Sequence, residues 1–183
     1  MHIDEAQRDM RVAYVGGAPG VAASGLVWLV AAGVLRAKGP EAALLTLFFG
    51  GMAIHPAAVV LSRALGAPGR HRPDNPLRLL ALESTGFLLL GVALSFALSR
   101  LQVPLFFSVM LVVIGGRYVM FNTLYGVRLY WACGAVLSAV GLCGLVGRIA
   151  PGALVLAGGL IELAFAVAFY VLHRRRSTRA AAG

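Results

Sequence analysis

The chain has 183 residues, of which 60% are hydrophobic and 13% charged, with a mean hydropathy of +0.85 and a net charge of +9. Soluble domains keep roughly a quarter of their residues charged, so this composition excludes a protein with a wholly water-facing surface. The positive charge sits between apolar runs and near the C-terminus, a pattern that fits membrane topology and argues against nucleic acid as a partner.

Most apolar runs are close to 20 residues, and at about 1.5 Å of rise per residue each spans the roughly 30 Å hydrocarbon core as a helix. The short strands of alternating polarity that a β-barrel requires are absent from the sequence. The expected fold is an all-α polytopic membrane bundle of about six transmembrane helices, with no room for a soluble catalytic domain. Fifteen arginines against one lysine, with abundant alanine and glycine, point to a GC-rich bacterial genome.

Residues 1–15 predict a short amphipathic helix at the membrane surface. Ile3, Ala6, Met10 and Ala13 form its apolar stripe, while Asp4, Glu5, Arg8, Asp9 and Arg11 cover the rest. Acids mixed with bases and the lack of a cleavage site argue against a signal peptide. Gly16-Gly17-Ala18-Pro19-Gly20 then breaks or turns the chain into the bilayer. The transmembrane domain, residues 16–173, divides into spans ending near Leu35, then Ala42–Ser62, Leu77–Leu98, Val103–Phe121, Val127–Gly147 and Gly152–Leu172, followed by a basic tail over 174–183.

Twelve basic residues fall at the N-terminus, the second–third and fourth–fifth connections and the tail, against four (Arg36, Lys38, Arg100 and Arg148) in the remaining loops. The positive-inside rule places both termini in the cytoplasm of a bacterium with the protein in its inner membrane. Cys133 and Cys143 share one helix roughly 15 Å apart, too far for a disulfide, and read as packing residues. Paired glycines precede an ionisable residue in the second, fourth and sixth spans, at Gly50-Gly51 with His55, Gly115-Gly116 with Arg117, and Gly158-Gly159 with Glu162. In so glycine-rich a chain this echo reads as coincidence.

The strings GGAPG, GGMAIHP, NPLRLLALEST, IGGRYVMFNTLYG and LIEL resemble an uncharacterised family of small six-helix bacterial integral membrane proteins. The resemblance covers nearly the whole chain and implies the membrane fold, but it brings no activity or site residues.

Four ionisable side chains fall inside the predicted spans: His55, Glu83, Arg117 and Glu162. A charge at the bilayer centre costs about 2.5–3.5 kcal/mol even on lenient scales, so each needs a partner, a wet cavity or the protein interior. Glu83 lies about 7–8 Å, Arg117 about 8 Å and His55 about 12 Å inside the basic boundary by helical rise, which predicts a shared layer in the cytoplasmic half. Tyr118 and Asn122 extend it, with Ser84, Thr85, Thr123 and Tyr125 nearby in sequence.

Three readings of this layer remain open: a Glu83–Arg117 ion pair locking two helices, a binding site in which Arg117 anchors an anionic solute, or an Arg117 that snorkels to the interface. Pro56 frees the carbonyl of Met52 beside His55, which serves either a packing kink or a cavity wall. Glu162 sits roughly 18 Å from Arg174, near the midplane, on a stripe with Gly158 and Ala166. It is expected to face the interior in its protonated form, as a hydrogen-bonded strut or as a proton or cation site.

No nucleophile motif, phosphate loop or metal-ligand set is present, and neither a cofactor nor a metal is expected. The first reading is a small-solute transporter or channel component. Its rivals are a non-catalytic scaffold or accessory subunit and a lipid-modifying intramembrane enzyme. Expected partners are membrane lipids and a small polar or anionic solute; oligomeric state is not legible.

Overall fold

A computed structural model describes residues 1–181 as helices and connections, with side-chain surroundings through residue 178. Seven α-helices follow one another: α1 (Ile3–Ala13), α2 (Ala18–Lys38), α3 (Pro40–Ala64), α4 (Leu77–Ser99), α5 (Pro104–Tyr125), α6 (Leu129–Leu145) and α7 (Pro151–Ala181). There is no strand among the described residues. Five helices (α2, α3, α4, α5 and α7) are long and apolar enough to cross a membrane. The sixth, α6, is a 17-residue apolar helix, about 25 Å long, shorter than the 127–147 span expected from the sequence. The left-handed glycines Gly126 and Gly147 set its two ends and account for the difference.

The boundaries have local causes. Pro19, Pro40, Pro104 and Pro151 fall in the first turns of α2, α3, α5 and α7, where a missing N–H costs nothing. Pro56 lies inside α3, which continues through it. Between α1 and α2 the break is shorter than the GGAPG string suggests. It is confined to Val15, Gly16 and Gly17, all left-handed, with φ of 52°, 65° and 84°. A β-branched valine there is strained, and a Cβ on Gly17 would collide with the Tyr130 hydroxyl.

Six helices form three hairpins, α2–α3, α4–α5 and α6–α7, and the connections between hairpins converge on α1. The amide of Gly69, in the α3–α4 loop, donates to the Ala13 carbonyl at 3.0 Å. Asn75, fully buried at the start of α4, donates to the Ala6 carbonyl and to Asp9, and accepts from the Leu77 amide. Gln7 and Arg11 donate to the carbonyls of Thr123 and Tyr125 at the end of α5. His173, late in α7, lies beside Gly16. One end of the bundle therefore gathers α1, the α3–α4 loop, the α5–α6 turn and the late part of α7. The apolar stripe of α1 is real, but Ala6, Met10 and Ala13 are buried against protein rather than lying open to lipid. Tyr14 donates to or accepts from His71 at 3.0 Å, and burial pushes its phenol above the ordinary range.

Small residues let the helices approach closely, the usual device where lipid offers no hydrophobic contrast. The α5–α6 contact runs through Gly115, Gly134, Gly141 and Gly144, and α2 meets α7 at Gly25 and Gly159. By contrast α3 packs mainly on α2, and α4 mainly on α5, so both present broad apolar faces outward. At the end away from α1, Phe48, Phe96 and Phe106 join α3, α4 and α5 through edge-on ring contacts. Cys133 and Cys143 are free thiols. The basic stretch after Leu172 continues α7 instead of starting a separate tail; residues 182 and 183 lie outside the described residues.

Candidate functional site

Glu162 is wholly buried, at 0% exposure, among α2, α5 and α7. Its surroundings follow from the stripe on α7. Gly158 and Gly159 bring Trp28, Leu29 and Leu111 close, and a Cβ on Gly25 would lie 3.1 Å from the Glu162 Cβ. Tyr118, also buried, donates from its hydroxyl to Glu162 Oε1 at 2.6 Å. Ser24 is buried beside the same carboxyl, yet Oε2 has no partner with hydrogen-bond geometry. A carboxylate with one donor in so dry a place is costly unless a proton or a cation neutralises it.

Toward the α1 end, Tyr118 opens onto an aromatic column. The ring of Tyr130 lies 6.0 Å from that of Tyr118, 5.5 Å from Tyr125 and 4.0 Å from Phe169, with the last two stacked. The Tyr130 hydroxyl donates to the Gly16 carbonyl at 2.8 Å. The column therefore ends under the left-handed turn between α1 and α2.

The expected Glu83–Arg117 layer does not form as drawn. Arg117 is largely enclosed, 3.5 Å from Thr85 Oγ1 and 5.1 Å above the Phe121 ring, with its Nε unpartnered. Among the described residues the only ion pair is Arg72–Asp74. Glu83 is exposed because α4 packs on α5 along Ser84, Gly91 and Ser95, and Glu83 is set about 100° off that stripe. His55 is likewise exposed: α3 turns Ala43, Leu44, Leu47 and Ser62 inward and His55 away. Helix α5 also runs four residues past Phe121, so Arg117 lies about 12 Å from its end, deeper than expected. Asn122 is half-buried near that end, where its carbonyl accepts from Gly126.

Of the six site residues read from sequence, the structure joins Tyr118 to Glu162, turns the adjacent Arg117 about 100° away toward Phe121 and Thr85, leaves Asn122 near the end of α5, and sets His55 and Glu83 on outward faces. Sequence reasoning missed Ser24, Tyr130 and Asn75. Asn75 carried a signal, an Asn-Pro pair just before an apolar run; Ser24 and Tyr130 carried none.

The two best-formed cavities reach neither Glu162 nor Arg117. The larger, of about 520 Å³, lies at the α1 end between the Leu65–Pro68 segment and α7, and the smaller is a crevice of about 10 Å³ beside it. Residues 3–172 match the model of a family of unknown function, DUF7010, and the chain belongs to that family. No curated protein and no solved structure matches it.

Proposed function

We propose that this membrane protein moves a small polar solute across the bilayer, with Glu162 as the group that takes up and releases a proton or cation during transport. The observation that carries this reading is the wholly buried Glu162 carboxyl, held at one oxygen by Tyr118 and bare at the other. Ionisable groups at mid-bilayer are expensive, and proteins that keep them use them along ion and solute paths. In this reading the sealed bundle is the state in which Glu162 is neutral. Opening at the α1 end, along the Tyr118–Tyr130 column, wets the carboxyl and lets its charge change. Arg117, with an unpartnered Nε, is the anchor for an anionic part of the solute. The charge asymmetry supports an inner-membrane protein with the α1 end in the cytoplasm.

The test is reconstitution into liposomes with an internal pH dye. Wild type is expected to move protons under an imposed gradient, and Glu162→Gln to remain folded and lose that movement. Identical movement by both proteins removes Glu162 from the mechanism. A second reading, a non-catalytic scaffold or accessory subunit, is favoured by the closed packing and by cavities that stop short of the centre. Absence of proton movement in both proteins supports it.

A further inference from the structure

At the α1 end, the cavity of about 520 Å³ has two chemically different walls. Val12, Val15, Leu65, Pro68 and Tyr170 are apolar or aromatic, whereas His173, Arg174, Ser177 and Thr178 present basic and hydroxyl groups from successive turns of α7. Among the described residues no carboxylate lines it. His173 also borders the adjoining crevice with Arg11 and Arg176, so three arginines and a histidine surround the two spaces. Burial and the charges of Arg11, Arg174 and Arg176 hold the imidazole below its ordinary range, so the standing charge is that of the arginines.

No ion pair neutralises this charge, since the single ion pair among the described residues lies elsewhere, at Arg72–Asp74; Asp4 offsets Arg11 only in part, and Arg11 also donates to the Tyr125 carbonyl. The guanidinium of Arg11 feels the crowding, since burial and then the charges of Arg176 and Arg8 hold it below its ordinary range. Like charges gathered beside an open cavity call for an anion, and arginine suits phosphate because its donors are fixed in a planar fork. The apolar wall calls for a ligand with an apolar body. The cavity also lies where α7 passes from its apolar stretch into Arg174-Arg175-Arg176, the level at which a headgroup meets acyl chains.

We propose that this cavity is a binding site for an anionic phospholipid, its phosphate against His173 and Arg174 and the start of its acyl chains along Val12, Leu65 and Pro68. The site is independent of transport at Glu162. Inorganic phosphate shares the anionic chemistry and lacks the apolar body, so it separates a lipid site from a free-phosphate site.

The experiment follows thermal unfolding of the purified full-length protein in a neutral detergent while short-chain phosphatidylglycerol, short-chain phosphatidylcholine or inorganic phosphate is added. Phosphatidylglycerol is expected to raise the unfolding midpoint more than phosphatidylcholine at equal concentration, with phosphate having no comparable effect. Arg174→Gln with His173→Gln should weaken the apparent affinity roughly tenfold or more, on the scale of lost charge-assisted hydrogen bonds. Ser177→Trp, which fills the cavity and leaves its charges in place, should do the same.

Arg175→Gln changes the same charge outside the cavity lining and should bind as wild type does. Equal weakening by Arg175→Gln means diffuse attraction and overturns the site. So does a phosphatidylglycerol response unchanged in the cavity variants, or none in the wild type. An equal response to inorganic phosphate overturns the lipid assignment.

Discussion

The Tyr118 hydroxyl donates a 2.6 Å hydrogen bond to Glu162 Oε1, joining α5 to α7 across 44 residues of sequence. Both side chains are buried, so neither has water to fall back on when the other is removed. The two substitutions that probe this bond are therefore unequal. Glu162→Gln keeps an acceptor for the tyrosine and should change stability little. Tyr118→Phe leaves the carboxyl with neither oxygen bonded and should cost roughly 1–3 kcal/mol. Denaturant unfolding in detergent micelles measures both; a Tyr118→Phe protein as stable as wild type would remove the bond from the account of stability.

Close backbone contact between α5 and α6 gives a second expectation. A Cβ on Gly115 or Gly134 would press against the opposite helix backbone, whereas Gly33, Gly51 and Gly86 have nothing within 4 Å of the added atom. Gly115→Val and Gly134→Val should destabilise by about 1–3 kcal/mol or prevent folding. Gly33→Ala, Gly51→Ala and Gly86→Ala should be neutral, or stabilising by up to about 1 kcal/mol through helix propensity. Unfolding midpoints for the five variants decide it, and equal effects in the two sets would contradict the packing.

Asn75 fastens α1 by donating to Ala6 and Asp9 while capping the start of α4. Asn75→Ala should release α1 without melting the bundle. Hydrogen exchange over residues 3–13 is expected to rise about tenfold, the factor matching a loss of 1–2 kcal/mol, while α5 and α7 stay protected. Unchanged protection of α1 would mean that the latch lies elsewhere.

Glu83 and Arg117 provide a charge test with a negative expectation. No ion pair joins them, and Glu83 faces outward. Exchanging the charges, Glu83→Arg with Arg117→Glu, should express no better than the worse single variant, and Glu83→Gln alone should change stability by no more than about 0.5 kcal/mol. Recovery in the double variant would restore the pairing.

Topology is testable with reporter fusions after residues 40, 70, 101, 126 and 149 and at the C-terminus. Three hairpins with the basic end inside predict cytoplasmic signals after 70, after 126 and at the C-terminus, and periplasmic signals at the other three sites. A periplasmic signal after residue 70 would contradict the orientation.

The apolar helices, five of them long enough to cross a membrane, the N-terminal helix and the buried position of Glu162 were legible in the sequence because each follows from apolar run length, periodicity or the cost of burying charge. The partner of Glu162 was not. Tyr118 was read into a layer with Arg117, its neighbour in sequence, but successive helical residues diverge by about 100°, and only the packed register tells which one faces α7. Glu83 failed for the same reason: depth along the helix was legible, and azimuth was not. The left-handed run at Val15–Gly17 was hinted at by paired glycines, yet nothing marked Val15 for a positive φ.

The latch on α1 has a consequence for assembly. This helix precedes every membrane span, but the side-chain bonds that fix it join residues 63 to 116 positions apart. During synthesis it must wait, with Ala6 and Met10 uncovered, until the α3–α4 loop and the end of α5 have been made and inserted. Its docking is therefore a late event that reports completion of the first two hairpins. A chain stalled or truncated before Tyr125 would carry a loose amphipathic helix with Ala6 and Met10 uncovered.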